Sequence, residues 1–167
     1  EAASESGFVV RLMEKMLRAG ISPQNAIPAV SAAVKLRNED ECGFATVDVI
    51  RIDLFRGKAD SFKCGAAPTY IKQGKKVERL IGKTLPLGLG KGEVQPDSSS
   101  FRLKDGMMLI AVTDGVCDGS DDSWLVEMIS EYDGEEIKSF AEKIVTAADR
   151  RSGGADDMTA AVIRISE

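Results

Sequence analysis

The apolar residues of this chain change their period once, near Gly43, and that change bounds the folds open to it. Before it, ESGFVVRLMEKMLRA at residues 5–19 sets Phe8, Leu12 and Met16 at i, i+4 and i+8, with Val9, Met13 and Leu17 beside them. That spacing is the stripe of an amphipathic helix. Gly20 stands where a left-handed residue ends a helix. Ser22 and Pro23 stand where a cap and a first helical residue begin the next, which runs to about Leu36 through Ala26, Ile27, Val30 and Val34. After Gly43 the pattern is that of strands: FATVDVIRIDLF, then ADSFKCGA beyond an Arg56-Gly57-Lys58 turn. TYIK and KVERL flank Gln73-Gly74, and SSSFRL and MMLIAVTD flank Lys104-Asp105-Gly106. LIGKTLPLGLGKGEV reads as a Gly- and Pro-rich loop, residues 120–131 and 134–149 as helices, and DMTAAVIRI as a last strand. Strands arriving as sequential hairpins predict mainly antiparallel pairing. Segregated helices and strands predict an α+β layered fold and not a doubly wound sheet.

Composition narrows the function classes. The chain has 167 residues, suited to a single domain, and 43% of them are hydrophobic, enough for a sizeable core. A formal net charge of −5 argues against a general nucleic-acid binder. No apolar run approaches the ~18 residues of a membrane span, so no membrane contact by this segment is expected. The opening EAASESGF lacks the basic and apolar regions of a signal peptide. Three cysteines, Cys42, Cys64 and Cys117, without C-x-x-C spacing, fit a reduced, cytoplasmic setting and small buried apolar roles. Histidine is absent. That removes Ser-His-Asp and Cys-His triads and histidine metal sites, and leaves carboxylates and carbonyls as ligands for a hard cation such as Mg²⁺, Mn²⁺ or Ca²⁺.

Several motifs fail on inspection. Gly82-Lys83-Thr84 resembles the end of a phosphate-binding loop, but the glycine it needs five residues before Gly82 is Val77. A calcium loop counted from Asp114 has Val116 and Leu125 where it needs acids. Within VTDGVCDGSDD, Asp114 has an ordinary reading: an Asp-Gly turn with Gly115 left-handed and Asp118 or Ser120 capping the next helix. A second acidic pair, Asp156-Asp157, sits in GGADDMTAAVI at the entry to the last strand. Two acidic loops at strand ends, in a chain without histidine, point to a shared carboxylate site whose mutual repulsion a divalent cation relieves.

TDG after an apolar strand, followed by a late DDMT entering a terminal strand, resembles the metal-dependent Ser/Thr protein phosphatases of the PP2C (PPM) family. FATVDVIRIDL, CGAAPTYIKQGK and TLPLGL are similar to its bacterial branch, that of the stage II sporulation protein E phosphatase domain. The similarity runs over nearly the whole chain. It implies an α-β-β-α sandwich of mainly antiparallel sheets, with residues 1–167 as a single phosphatase domain. It also implies two Mn²⁺ or Mg²⁺ ions in the complete domain, about 3.5–4 Å apart, activating a water for direct hydrolysis of phosphoserine or phosphothreonine without a side-chain nucleophile. By position, Asp114 matches the TDG metal ligand and Gly115 the glycine that lets the backbone turn near the metals. Asp156 matches the late metal ligand, with Asp157 as its partner. Asp118, Asp121 and Asp122 match no family role and read as helix caps and solvated surface.

The family's first motif, of Asp-Gly-Met-Gly type, supplies further ligands and is not in these residues; EAASESGF resembles the helix just downstream of it. The expectation is a domain lacking its N-terminal portion, with weak or no Mn²⁺-dependent activity in residues 1–167 alone. The implied substrate is a small phosphoprotein, an anti-anti-sigma factor phosphorylated on serine, in sporulation or stress signalling. A different class remains open: a catalytically incomplete phosphatase-fold module that acts by protein contact. The helices at 5–36 read as core packing, with a regulatory switch or a dimer contact as the alternative use of their apolar faces. A membrane tether, if any, belongs to upstream segments outside this chain.

Overall fold

The computed structural model describes residues 2–37, 43–118, 120–133 and 136–166, with the side chains of Ala2 and Ala3 excepted. The elements run α1 (Ala2–Arg18), α2 (Pro23–Arg37), β1 (Val47–Asp53), β2 (Lys58–Cys64), β3 (Thr69–Gln73), β4 (Lys76–Leu80), β5 (Asp97–Arg102), β6 (Met108–Val112), α3 (Ser123–Glu131), α4 (Ile137–Ser152) and β7 (Ala160–Arg164). They divide into two compact units: residues 1–52, 59–66 and 82–100, and residues 53–58, 67–81 and 101–167.

In the first unit α1 ends as its sequence predicts. The Ile21 amide donates to the Met16 carbonyl and the Gly20 amide to the Leu17 carbonyl, with Gly20 at φ 82°. This paired arrangement satisfies carbonyls that the last turn leaves open. The Ser22 carbonyl then accepts from the Asn25 and Ala26 amides and starts α2. Val9 and Met13 of α1 and Ala26, Ile27, Val30 and Val34 of α2 share a core with Val47, Phe62, Cys64, Leu87 and Val94. The Arg37 guanidinium lies over the Phe8 ring, 4.8 Å from its centre, and ties the two helices. Most residues of the sheet of order β1-β2-β5 belong to this unit, while the end of β5, Phe101 and Arg102, belongs to the second.

The second unit holds a sheet of order β4-β3-β6-β7, antiparallel throughout. Tyr70, Ile110 and Val162 lie opposite one another across β3, β6 and β7. Tyr70 and Ile110 share a buried cluster with Leu125, Ile129, Phe140, Ile144 and Ala148 of α3 and α4. Each fully buried aliphatic side chain there contributes about 1.5–3 kcal/mol. A slip of one residue would turn every one of these side chains to the other face, so the apolar pattern holds the register. Gly153 at φ 69° ends α4 by donating to the Asp149 carbonyl.

One expectation is corrected. The strands flanking Lys104-Asp105-Gly106 do not form a hairpin: β5 belongs with β2, and β6 lies between β3 and β7. Both edges of β6 are already occupied. Beyond its start the Ile165 amide donates to Met107 and the Gly106 amide to Ile165, continuing the β7 pairing into the turn. The polar strand DSSSFR offers no apolar face to compete with AAVIR for that edge. The β3–β4 hairpin forms as expected, with Gln73 opposite Lys76 and Gly74 at φ 60°.

Candidate functional site

The buried strand β6 delivers the TDG residues to the end of the four-stranded sheet. Val112 pairs with Ala160 of β7. One residue further, the Thr113 amide donates to the Thr159 carbonyl at 3.0 Å, and the Thr159 amide donates to Thr113 Oγ1 at 2.9 Å. The amides of Val116 and Cys117 turn back onto the Thr113 carbonyl. Asp114 opens that turn, and Val116 and Cys117 bury themselves beneath it. Asp156 and Asp157 lie in the loop entering β7, just before Thr159, so pairing of β6 with β7 brings the two acidic loops together.

Gly115 shows how close they come. A β-carbon on it would lie 2.3 Å from the Asp157 carbonyl oxygen and 3.3 Å from Asp156 Cβ. The reading of Gly115 as left-handed is corrected here: its φ is not positive. Close backbone approach, and not an unusual dihedral, is what demands glycine at this position. Asp114, Asp156 and Asp157 are exposed. The Gly115 amide donates to Asp114 Oδ1 at 3.2 Å, and the Asp157 amide donates to Asp156 Oδ1 at 2.8 Å. Each carboxylate is thus oriented by the residue that follows it. Exposed oxygen donors without nitrogen or sulfur suit a hard divalent cation, so the donor set fits Mn²⁺ or Mg²⁺ in kind. It is small: among the described residues no group of three or more His, Cys, Asp or Glu side chains gathers for a metal.

The other aspartates separate. Asp118 accepts from the Ser120 amide and hydroxyl, and Asp121 from the Ser123 hydroxyl, which are local turn contacts. Asp122 departs from the surface and capping role expected of it. It precedes α3 without a side-chain cap bond and is only 8% exposed. Arg79 of β4 grips it from Nε and a terminal nitrogen, at 2.6 and 2.7 Å, and the Tyr70 hydroxyl donates to it at 3.0 Å. Burial acts to raise the Asp122 pKa, but the bonds from Arg79 and Tyr70 outweigh it and hold the carboxyl below the usual aspartate range. The Tyr70 phenol moves the other way, pushed up first by its own burial and then by Cys117 and Asp122. The clamp fastens the loop after TDG to the β3–β4 hairpin. Nothing in the sequence joins Arg79 to an aspartate 43 residues later, so local reading missed it.

Comparisons with known proteins bear on the family and the fold. Residues 1–166 match the family model for stage II sporulation protein E (SpoIIE). The chain is 30% identical over 168 residues to stage II sporulation protein E of Bacillus subtilis, covering 96% of this chain and 20% of that protein. It therefore spans about a fifth of that relative's length. Among solved structures, the PP2C phosphatase domain of SpoIIE from Bacillus subtilis, with a fragment of its regulatory domain, superposes with a TM-score of 0.80 at 28% identity. That match covers 95% of this chain and 49% of the other. The phosphatase domain of the same protein, presoaked with Mn, gives a TM-score of 0.66 at 30% identity, covering 95% and 72%. The α+β fold is the PP2C-like fold, and the chain belongs to the stage II sporulation protein E family of PP2C-type Ser/Thr phosphatases.

Proposed function

We propose that this chain serves metal-dependent hydrolysis of phosphoserine or phosphothreonine on a regulatory phosphoprotein of anti-anti-sigma type, in sporulation or stress signalling. One observation carries the reading: the β6–β7 register and the close approach of Gly115 to Asp156-Asp157 set the two acidic loops side by side. Asp114 and Asp156 would hold Mn²⁺ or Mg²⁺, two ions in the complete centre, with Gly115 and Asp157 supporting them. When bound, such ions supply positive charge that polarises water and the phosphoryl oxygens. The chain's own part is positional. The Gly115 and Asp157 amides orient the two carboxylates, and the threonine pair Thr113–Thr159 locks the loops in register. Residues 1–167 are read as one PP2C-like phosphatase domain in a cytoplasmic setting, with a membrane tether, where one exists, outside them. No helix among the described residues is long and apolar enough to cross a membrane. A dimer through α1 and α2 belongs to the same reading.

The test is Mn²⁺-dependent release of phosphate from a serine-phosphorylated anti-anti-sigma protein by the whole gene product. Loss of release in Asp114→Asn and in Asp156→Asn supports the reading, and full activity in either overturns it. A second reading, a phosphatase-fold module acting by protein contact, is favoured by the two-carboxylate donor set. It predicts that both variants keep the biological interaction while no phosphate is released by the unaltered protein.

A further inference from the structure

At the start of β6, away from the acidic loops, the second unit contains a cavity of about 370 Å³ lined by Ile71, Gln73, Lys76, Glu78, Phe101, Arg102, Lys104 and Met107. Side chains alternate along β3, so Ile71 and Gln73 point away from the face on which Tyr70 packs under α3. Ile71 and Met107, each 6% exposed, form an apolar floor with half-buried Phe101. The rim is basic: Lys76, Arg102 and Lys104 stand against Glu78 alone, a local excess of two positive charges in a chain whose net charge is −5. Glu78 is bonded to Lys76. Its carboxyl is held below the usual glutamate range, first by that bond and to a lesser degree by Lys104. Beside them Gln73 donates its amide nitrogen to the Asp105 carbonyl at 3.3 Å.

These features select one kind of occupant. An apolar floor takes one aliphatic or aromatic side chain, and a basic rim takes flanking carboxylates. We propose that this cavity is a docking site for an acidic peptide segment of a protein partner, with an apolar residue set between acidic ones. A neighbouring cavity is a weaker candidate. Its lining balances Lys72, Lys75 and Arg164 against Asp105, Glu131 and Asp133, and its buried cation, Lys72, donates to the Gly74 and Ser130 carbonyls. The docking site is independent of the phosphatase reading. Met107 precedes β6 and Asp114 follows it, and a strand of that length separates the two by about 17 Å or more.

The experiment is fluorescence anisotropy of a fluorescein-labelled peptide of alternating glutamate and leucine, titrated with chain 1–167. Saturable, salt-sensitive binding is expected, weakened about ten-fold or more in the charge-reversed Arg102→Glu/Lys104→Glu protein and unchanged in Lys91→Glu. An alternating lysine–leucine peptide is expected not to bind. Equal affinity in the reversed protein, equal affinity for the basic peptide, or no binding up to about 1 mM overturns the proposal. So does competition by phosphatidylglycerol vesicles without competition by unlabelled peptide. Circular dichroism checks folding of the double variant. Should it fail to fold, Lys104→Gln replaces it, with weakening of about three-fold expected and none contradicting the proposal.

Discussion

A β-carbon on Gly115 would meet the Asp157 carbonyl oxygen at 2.3 Å, well inside van der Waals contact. The collision is with backbone, so no rotamer change relieves it. Gly115→Ala is therefore expected to push the two acidic loops apart and cost about 1–3 kcal/mol. A melting temperature within a degree of the unaltered chain would contradict this contact.

Asp122 couples stability to pH. Its folded-state pKa lies below the ordinary value, so its contribution is present above the unfolded aspartate pKa of about 3.9 and is lost as pH falls through the folded value. At pH 7 Asp122→Asn is expected to cost about 2 kcal/mol, below the usual figure for a broken buried pair because 41% of the Arg79 side chain is exposed to screening solvent. The deficit should shrink as pH drops below about 4. Urea midpoints for both proteins between pH 7 and pH 3 check this, and a deficit independent of pH would contradict it.

Much of the fold was legible in local sequence because local chemistry determines it. Gly20, Ser22 and Pro23 fix the α1–α2 corner within a few residues, and MMLIAV can be read as a buried strand from its composition alone. That the loops of Asp114 and Asp156 share a site was suggested by two acidic strand ends in a chain without histidine, but the strand pairing behind it, β6 with β7 some fifty residues later, was not legible locally. The partner of β5 and the bond of Arg79 to Asp122 were not legible. Both are long-range choices among polar residues, where no apolar period distinguishes one partner from another. Gly115 was read as left-handed, and the structure shows close approach instead, because an Asp-Gly pair looks the same whether glycine is needed for φ or for space.

Cys64 is fully buried, and burial, aided by Asp97, pushes its thiol up to about 11. At pH 8 only about one molecule in a thousand then carries the reactive thiolate. Iodoacetamide labelling read by peptide mass spectrometry is expected to spare Cys64 in the native chain and modify it in urea. Rapid native labelling at Cys64 would contradict its packing against α2 and Leu87.

The central claim is that Asp114 and Asp156 act together on one cation. Calorimetric titration of Mn²⁺ into chain 1–167, Asp114→Asn and Asp156→Asn tests it directly. Weak but saturable binding by the unaltered chain, with a Kd of about 0.1–1 mM, and a loss of at least about ten-fold in each variant, is the predicted result. Binding of equal strength in all three proteins, or none in the unaltered chain, would contradict it.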